Sequence, residues 1–149
     1  MASADPPRTT ASDDDASIVA RALRLEDFFP EFTGEQCGKL FPHSGVALYA
    51  SGDFLIEQEE SGRDLFILIE GSVTVTLSMG SAAAQVATLG PGALMGEIAL
   101  LREGLRTASA IAALPTRAFR LVYEDMGYIL KNNPVLAAHL QSLAKERQS

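Results

Sequence analysis

Tryptophan is absent, and cysteine occurs once, at Cys37. A lone cysteine excludes an internal disulfide and any zinc site built on several thiolates, which fits a reducing, cytoplasmic setting. Histidine is nearly as scarce: His43 and His139 stand far apart in the chain, so a histidine-rich metal centre is not expected. No apolar run approaches the roughly 18 residues of a bilayer span, and no apolar stretch of signal-peptide type follows the N-terminus. Membrane insertion of this chain is therefore not expected. Positive charge is short as well. Twelve Lys and Arg stand against 19 Asp and Glu, a net of −7, and nothing forms the basic stripe that nucleic-acid binding needs. An anion bound here must be held by a local device working against an unfavourable global field.

What is present suffices for one core: 149 residues, 47% of them apolar, is the size and composition of a single ordinary domain. Residues 1–16 are Ala, Ser, Thr, Pro and Asp with no large apolar side chain after Met1, and hold Asp5, Asp13, Asp14 and Asp15 against Arg8. They are expected to form a disordered acidic tail, leaving 17–149 as the domain. From Ser17 the pattern is helical as far as Phe29, where Pro30 breaks it. Thr33 with Gln36 forms a capping box for a short helix over GEQCGKLF.

The period then changes. Short β-type runs cover residues 48–49, 54–56, 65–69, 73–77, 86–89, 109–112 and 117–122, split by glycines and by the Gly90-Pro91-Gly92 turn. Strands at this spacing predict a mainly β fold with flanking helices, a β-roll or jelly-roll barrel. The last quarter is helical again. One helix is expected over 124–131 and another from Pro134 with Asn133 as its cap. Leu136, Leu140 and Leu143 fall on one face of it, which predicts docking at the open end of the barrel. No helix-turn-helix or output domain is expected within these residues.

One stretch between two strands breaks the β pattern: Gly90-Pro91-Gly92-Ala93-Leu94-Met95-Gly96-Glu97-Ile98-Ala99-Leu100-Leu101, with Arg106-Thr107-Ala108 downstream. A short helix over 97–101 cannot stand on propensity alone. Its first amides, at Gly96 to Ala99, lack intrahelical partners and suit an anion such as a phosphate. Gly96 lets a ligand approach the backbone, and Arg106 supplies a planar fork matched to phosphate oxygens.

GEIALL, followed four residues later by Arg106-Thr107-Ala108-Ser109, resembles the phosphate-binding cassette of cyclic-nucleotide-binding domains. These occur in protein kinase A regulatory subunits, the catabolite activator protein and nucleotide-gated channels. The resemblance extends over residues 18–147, and Gly52, Gln58, Gly62, Leu65, Phe66 and Gly71 also fall where the family has its turn-and-aromatic motif. Glu59 departs from it, since the family has glycine there. The resemblance implies a ligand-sensing module for cAMP or cGMP, with no other cofactor and no metal. Gly96 and Glu97 would bind ribose and phosphate, the Glu97 carboxylate accepting from the ribose 2′-hydroxyl. Ile98 and Ala99 would offer backbone amides, and Arg106 would pair with the phosphate charge. Thr107 would reach the phosphate or a guanine amino group, with Ala108 beside it. Ala87 and Leu89 would face the base, and Arg147 would stack over the purine. A partner protein or an effector domain would receive the signal.

Two other readings compete. A degenerate member would keep the roll as a protein interaction surface without nucleotide; the presence of Gly96, Glu97 and Arg106 argues against it. A cupin-like enzyme would need histidines on the strands, and no expected strand carries one. Binding, and not turnover, is the activity these residues point to.

Overall fold

The computed structural model describes residues 6–148. Its strands are β1 (Arg8–Thr9), β2 (Gly45–Tyr49), β3 (Phe54–Ile56), β4 (Leu65–Glu70), β5 (Val73–Met79), β6 (Ala82–Leu89), β7 (Leu94–Met95), β8 (Ser109–Ala112) and β9 (Thr116–Leu121). Its helices are α1 (Asp13–Ala22), α2 (Gly34–Leu40), α3 (Tyr123–Asn132) and α4 (Pro134–Gln148), with a short 3₁₀ helix, η1 (Glu97–Leu100), between β7 and β8. The strands form two antiparallel sheets, ordered β1-β2-β9-β4-β7 and β3-β8-β5-β6. The expected mainly β roll with flanking helices is present, but its two sheets face each other without closing into a barrel.

The first sheet is buried on both sides, and β4 shows why its sequence is an unbroken apolar run. Leu65, Ile67 and Ile69 point into a core shared with the helices, while Phe66 and Leu68 point into the space between the sheets. A strand with two buried faces cannot alternate apolar with polar. β9 divides likewise: Phe119 and Leu121 meet the helices, and Ala118 joins Ala47 in the inter-sheet core beside Val73, Ala110 and Ala112. Each large side chain so buried stabilises the fold by about 1.5–3 kcal/mol relative to exposure. β6, by contrast, is an edge strand with almost every residue exposed.

The N-terminal region departs from expectation. The described part of the supposed tail, residues 6–16, is tied down: β1 pairs with β2, Arg8 opposite Ala47 and Thr9 opposite Val46. Helix α1 begins at Asp13, four positions before the expected Ser17, with Ser12 as cap and Asp15 completing a capping box. Asp15 and Ala16 are buried. The signal was a Ser-x-x-Asp box concealed in a run of acids, whose composition alone reads as unfolded. Residues 1–5, the rest of that expected tail, lie outside the described residues. The helix also ends early, because Arg24 takes a left-handed φ of 51°, and residues 26–28 form a separate turn.

The Thr33–Gln36 capping box of α2 is present as expected. Cys37 in α2 is buried, and burial, helped by Asp15, pushes its thiol up to about 12, which makes it an inert core residue. In α4, Leu136, Leu140 and Leu143 are buried on one face, but that face docks with α1 and α2 against the outer side of β4 and β9. It does not close the open end of the roll. The outer residues of those strands are the large apolar ones, so they offer the helix more surface to bury.

Asp15 anchors α1 to β9. Burial alone would raise its carboxyl, but hydrogen bonds from Arg117 at 2.8 and 3.3 Å and from the Ser12 backbone outweigh this and hold it below its ordinary value. With the folded value below the unfolded one, the contribution is complete above the ordinary Asp value of about 3.9 and is lost as pH falls through the folded value. Asp15→Asn should cost about 1–3 kcal/mol at pH 7. The gap to the wild type should narrow in urea unfolding as the solution is acidified below about pH 4.

Candidate functional site

The site begins where the chain enters β7. Gly92, at φ +90°, turns it, and its amide donates to the Leu68 carbonyl. β7 then pairs with β4, Phe66 opposite Met95 and Ile67 opposite Leu94. Gly96 follows at φ +83°, with no room beside it: an added Cβ would stand 2.8 Å from the Asp64 carbonyl oxygen and 3.0 Å from Arg106 Nη1. Glycine is required there on both counts. The helix that follows is 3₁₀, and no side chain caps its N-terminus. The Ala99 amide closes onto the Gly96 carbonyl at 3.1 Å. The amides of Glu97 and Ile98 are left without intrahelical partners.

Arg106 is the charged centre. Its backbone is held in the loop between β3 and β4: the Glu59 amide donates to Arg106 O at 2.8 Å, and the Arg106 amide donates to Glu60 O at 2.9 Å. Glu59 itself takes a left-handed φ of 72°, the conformation that glycine adopts without strain, and the turn still closes on Arg106. The guanidinium lies between two glycines, with a Cβ on Gly62 reaching to 3.1 Å from its Nε. Nη2 donates to the Asp64 carbonyl oxygen at 2.7 Å. Among the described residues no carboxylate forms an ion pair with Arg106.

The neighbouring acid is engaged elsewhere. The Asp64 carboxylate accepts from Arg120 at 2.8 Å through one oxygen and from the Tyr123 amide at 2.9 Å through the other. Burial pulls the Arg106 guanidinium below its ordinary value, a pull reinforced by Arg120 and opposed by Asp64 and Glu97. An arginine nonetheless stays protonated, so a half-buried cation whose side-chain partner among the described residues is a carbonyl faces the cleft.

That cleft has a volume of about 340 Å³ and collects most of the residues singled out from sequence: Leu89, Gly96, Glu97, Ile98, Arg106, Thr107, Ala108 and Arg147 all line it. Two do not. Ala99 is buried, its amide spent on Gly96 and its carbonyl on Arg63. Ala87 is exposed on β6, outside the lining. Ile56, Val75, Leu94, Met95, Ser109 and Ala110 complete the wall and were not expected. Leu94 and Met95 fall inside the irregular stretch and could have been suspected, whereas Val75 looks like any strand residue. Arg147, near the end of α4, donates to the Leu94 carbonyl at 3.2 Å, and its Nε stands 3.8 Å from the Glu97 carboxylate.

A second cleft of about 430 Å³ also reaches Arg106, but there four acids, Asp53, Glu57, Glu60 and Asp64, stand against Arg106, Arg63 and Arg120, and Arg120 is already paired with Asp64. The smaller cleft, with a cation at one end and an apolar wall, is suited to an anion carrying a flat apolar group. Among the described residues no cluster of His, Cys, Asp and Glu could hold a metal ion, and no helix is long and apolar enough to cross a membrane.

Comparison with known proteins places the chain in a family. The family model described as "cyclic nucleotide-binding domain" matches residues 46–133. The cyclic AMP receptor protein of Thermus thermophilus is 35% identical over 101 residues, covering 67% of this chain and 47% of the relative. The human potassium/sodium hyperpolarization-activated cyclic nucleotide-gated channel 4 is 28% identical over 130 residues, 87% of this chain and 10% of the channel. The chain thus spans about half of the first relative and a small part of the second. A cyclic nucleotide-binding domain from Methylobacillus flagellatus superimposes with a TM-score of 0.76 at 22% identity, over 97% of this chain and 84% of the other, a likeness of fold.

Gly96→Ala should lose about 1–3 kcal/mol in urea unfolding, since the left-handed backbone and the contact with the Asp64 carbonyl both penalise a methyl group. Gly38→Ala is the control. Nothing lies within 4 Å of a Cβ there, and the helical position should gain about 0.5–1 kcal/mol.

Proposed function

Since the chain belongs to the cyclic nucleotide-binding domain family, we propose that it is a regulatory sensor which binds cAMP or cGMP in the cleft beside η1. The observation that carries this reading is the half-buried Arg106 guanidinium, unpaired with any carboxylate among the described residues, at the end of a cleft of small-ligand size. A singly charged cyclic phosphate supplies the missing counterion. In an acidic chain such a site must be built locally, and Asp64 is kept from competing by Arg120 and the Tyr123 amide.

In this reading Arg106 pairs with the phosphate, and the Glu97 and Ile98 amides hydrogen-bond its oxygens. The Glu97 carboxylate accepts from the ribose 2′-hydroxyl. The base lies along Leu89, Val75 and Ala110, with Thr107 placed to contribute to the choice between adenine and guanine. Ala99 supports η1 from below and does not touch the ligand. Arg147 already reaches Glu97, so a ligand that engages Glu97 changes what the end of α4 is bound to. The nucleotide then shifts the population of α4 positions by its differential contacts with them, and an effector domain or partner protein reads that shift. The Thermus relative is named a cyclic AMP receptor protein and the channel relative is named for cyclic-nucleotide gating, which supports a binding role without turnover.

Removing the charge partner of a buried anion costs about 2–5 kcal/mol. Arg106→Ala should therefore weaken binding by roughly 30-fold or more, with the fold kept, and Glu97→Gln should weaken it less. Calorimetric titration with cAMP and with cGMP measures both variants, and the ratio of the two wild-type affinities reports on Thr107. An Arg106→Ala protein that bound normally would defeat the reading. A folded wild type giving neither heat nor thermal shift with either nucleotide would leave the roll as a protein interaction module.

A further inference from the structure

One side chain outside the cleft holds together the elements that the binding reading requires to act together. Arg63, at the end of the β3–β4 loop, donates from Nη2 to the Ala99 carbonyl at 3.0 Å and from Nη1 to the Tyr123 hydroxyl at 2.8 Å. Its guanidinium carbon lies 4.0 Å from the centre of the Tyr123 ring, and Nη1 also stands 3.3 Å from Glu103. Its Nε is buried without a hydrogen-bond partner. An arginine that leaves one donor buried and unmet is placed by the contacts of the others.

The contact with Ala99 matters because of what η1 is. It spans only Glu97–Leu100 and has no side-chain cap at its N-terminus, so neither propensity nor capping fixes its direction. Its carbonyl end is held from outside. Arg63 takes the Ala99 carbonyl, and Gln141 of α4 reaches the Leu100 carbonyl at 3.4 Å. A cation is also favourable at that end of a helix. Arg63 is the better placed of the two, with a shorter bond and a guanidinium braced against the Tyr123 ring.

We infer that Arg63 is a positioning residue for the ligand site: without touching the ligand, it fixes η1 beside Arg106 and ties that position to Tyr123 at the start of α3. This rests on the cyclic-nucleotide reading for its ligand but not for its geometry. Loss of the guanidinium frees the carbonyl end of η1, so Glu97 and Ile98 no longer hold their places against Arg106. Affinity falls although every residue lining the cleft is intact. Tyr123 braces the same guanidinium, so its removal acts through Arg63 and the two losses are not independent.

The test uses Arg63→Met, Arg63→Lys and Tyr123→Phe in the full chain. Two readouts are calorimetric titration with cAMP and cGMP and amide hydrogen exchange of residues 97–101 without nucleotide. Arg63→Met should weaken the dissociation constant about tenfold at unchanged stoichiometry, and speed exchange in η1. Arg63→Lys, which keeps the charge but loses the braced fork, should recover only part of the affinity. Tyr123→Phe should have a smaller effect that largely disappears in the Arg63→Met background. A purely structural role would instead lower the binding-competent fraction and leave the affinity of the remainder unchanged; that result overturns the inference, as do unchanged affinity and unchanged exchange together. If Arg63→Met does not fold, Arg63→Lys and Tyr123→Phe decide the matter on the same readouts. If the wild type binds neither nucleotide, the functional reading fails by itself, and the exchange rates still show whether Arg63 holds η1.

Discussion

The structure depends on β4 being buried on both faces. Leu65, Ile67 and Ile69 serve the helical layer while Phe66 and Leu68 serve the space between the sheets, so this one strand fixes where helices, roll and site stand relative to one another. Asp64 comes immediately before it. Because β4 cannot shift without disturbing two cores, the Asp64 carbonyl that receives Arg106 and the carboxylate that receives Arg120 and the Tyr123 amide are held at fixed points. The rigid element positions the site, and the loops around it only fill in the chemistry.

Electrostatics in the site are arranged by subtraction. The chain carries a net charge of −7, and acids crowd the loop from Asp53 to Glu60, yet the guanidinium facing the smaller cleft is not neutralised. Arg120 and a backbone amide occupy the Asp64 carboxylate, and two glycines let Arg106 sit half-buried between backbone segments. Desolvation makes that charge costly when alone and strongly attractive to an anion in contact with it. The acidic surroundings then favour a small ligand that fits inside the cleft over any extended polyanion.

The short helix beside Arg106 has no stability of its own, which makes it dependent on its neighbours and informative to them. Its carbonyl end bonds to Arg63 and Gln141, and its first carboxylate stands near Arg147. Two of these three side chains belong to α4, and the third braces against the first residue of α3. Any change in the position of η1 therefore reaches both C-terminal helices through polar contacts, over a distance of one or two side chains.

Much of this was legible in the sequence. The strands at 54–56 and 109–112, the α2 capping box, the Asn133-Pro134 start of α4 and the uninterrupted β4 run all follow from local chemistry: capping, turn glycines and apolar period. The candidate site was legible in part, because Gly96, Glu97, Ile98 and Arg106 lie in one irregular stretch whose residue types suit an anion. Composition misled at the N-terminus, where the acids of α1 look like a solvated tail until Asp15 is seen against Arg117. It was silent on Asp64, Arg63 and Val75, whose roles come from elements distant in sequence that the sheet order brings together. The sequence by itself determined the local elements and the residue types of the candidate site, since those depend on neighbours a few positions away. Only the tertiary structure decided that α4 packs on the outer sheet face, that Asp64 pairs with Arg120 while Arg106 meets no carboxylate among the described residues, and that Arg63 reaches η1 and α3 at once. Each of these is a competition between partners far apart in the chain, and its outcome is fixed by packing.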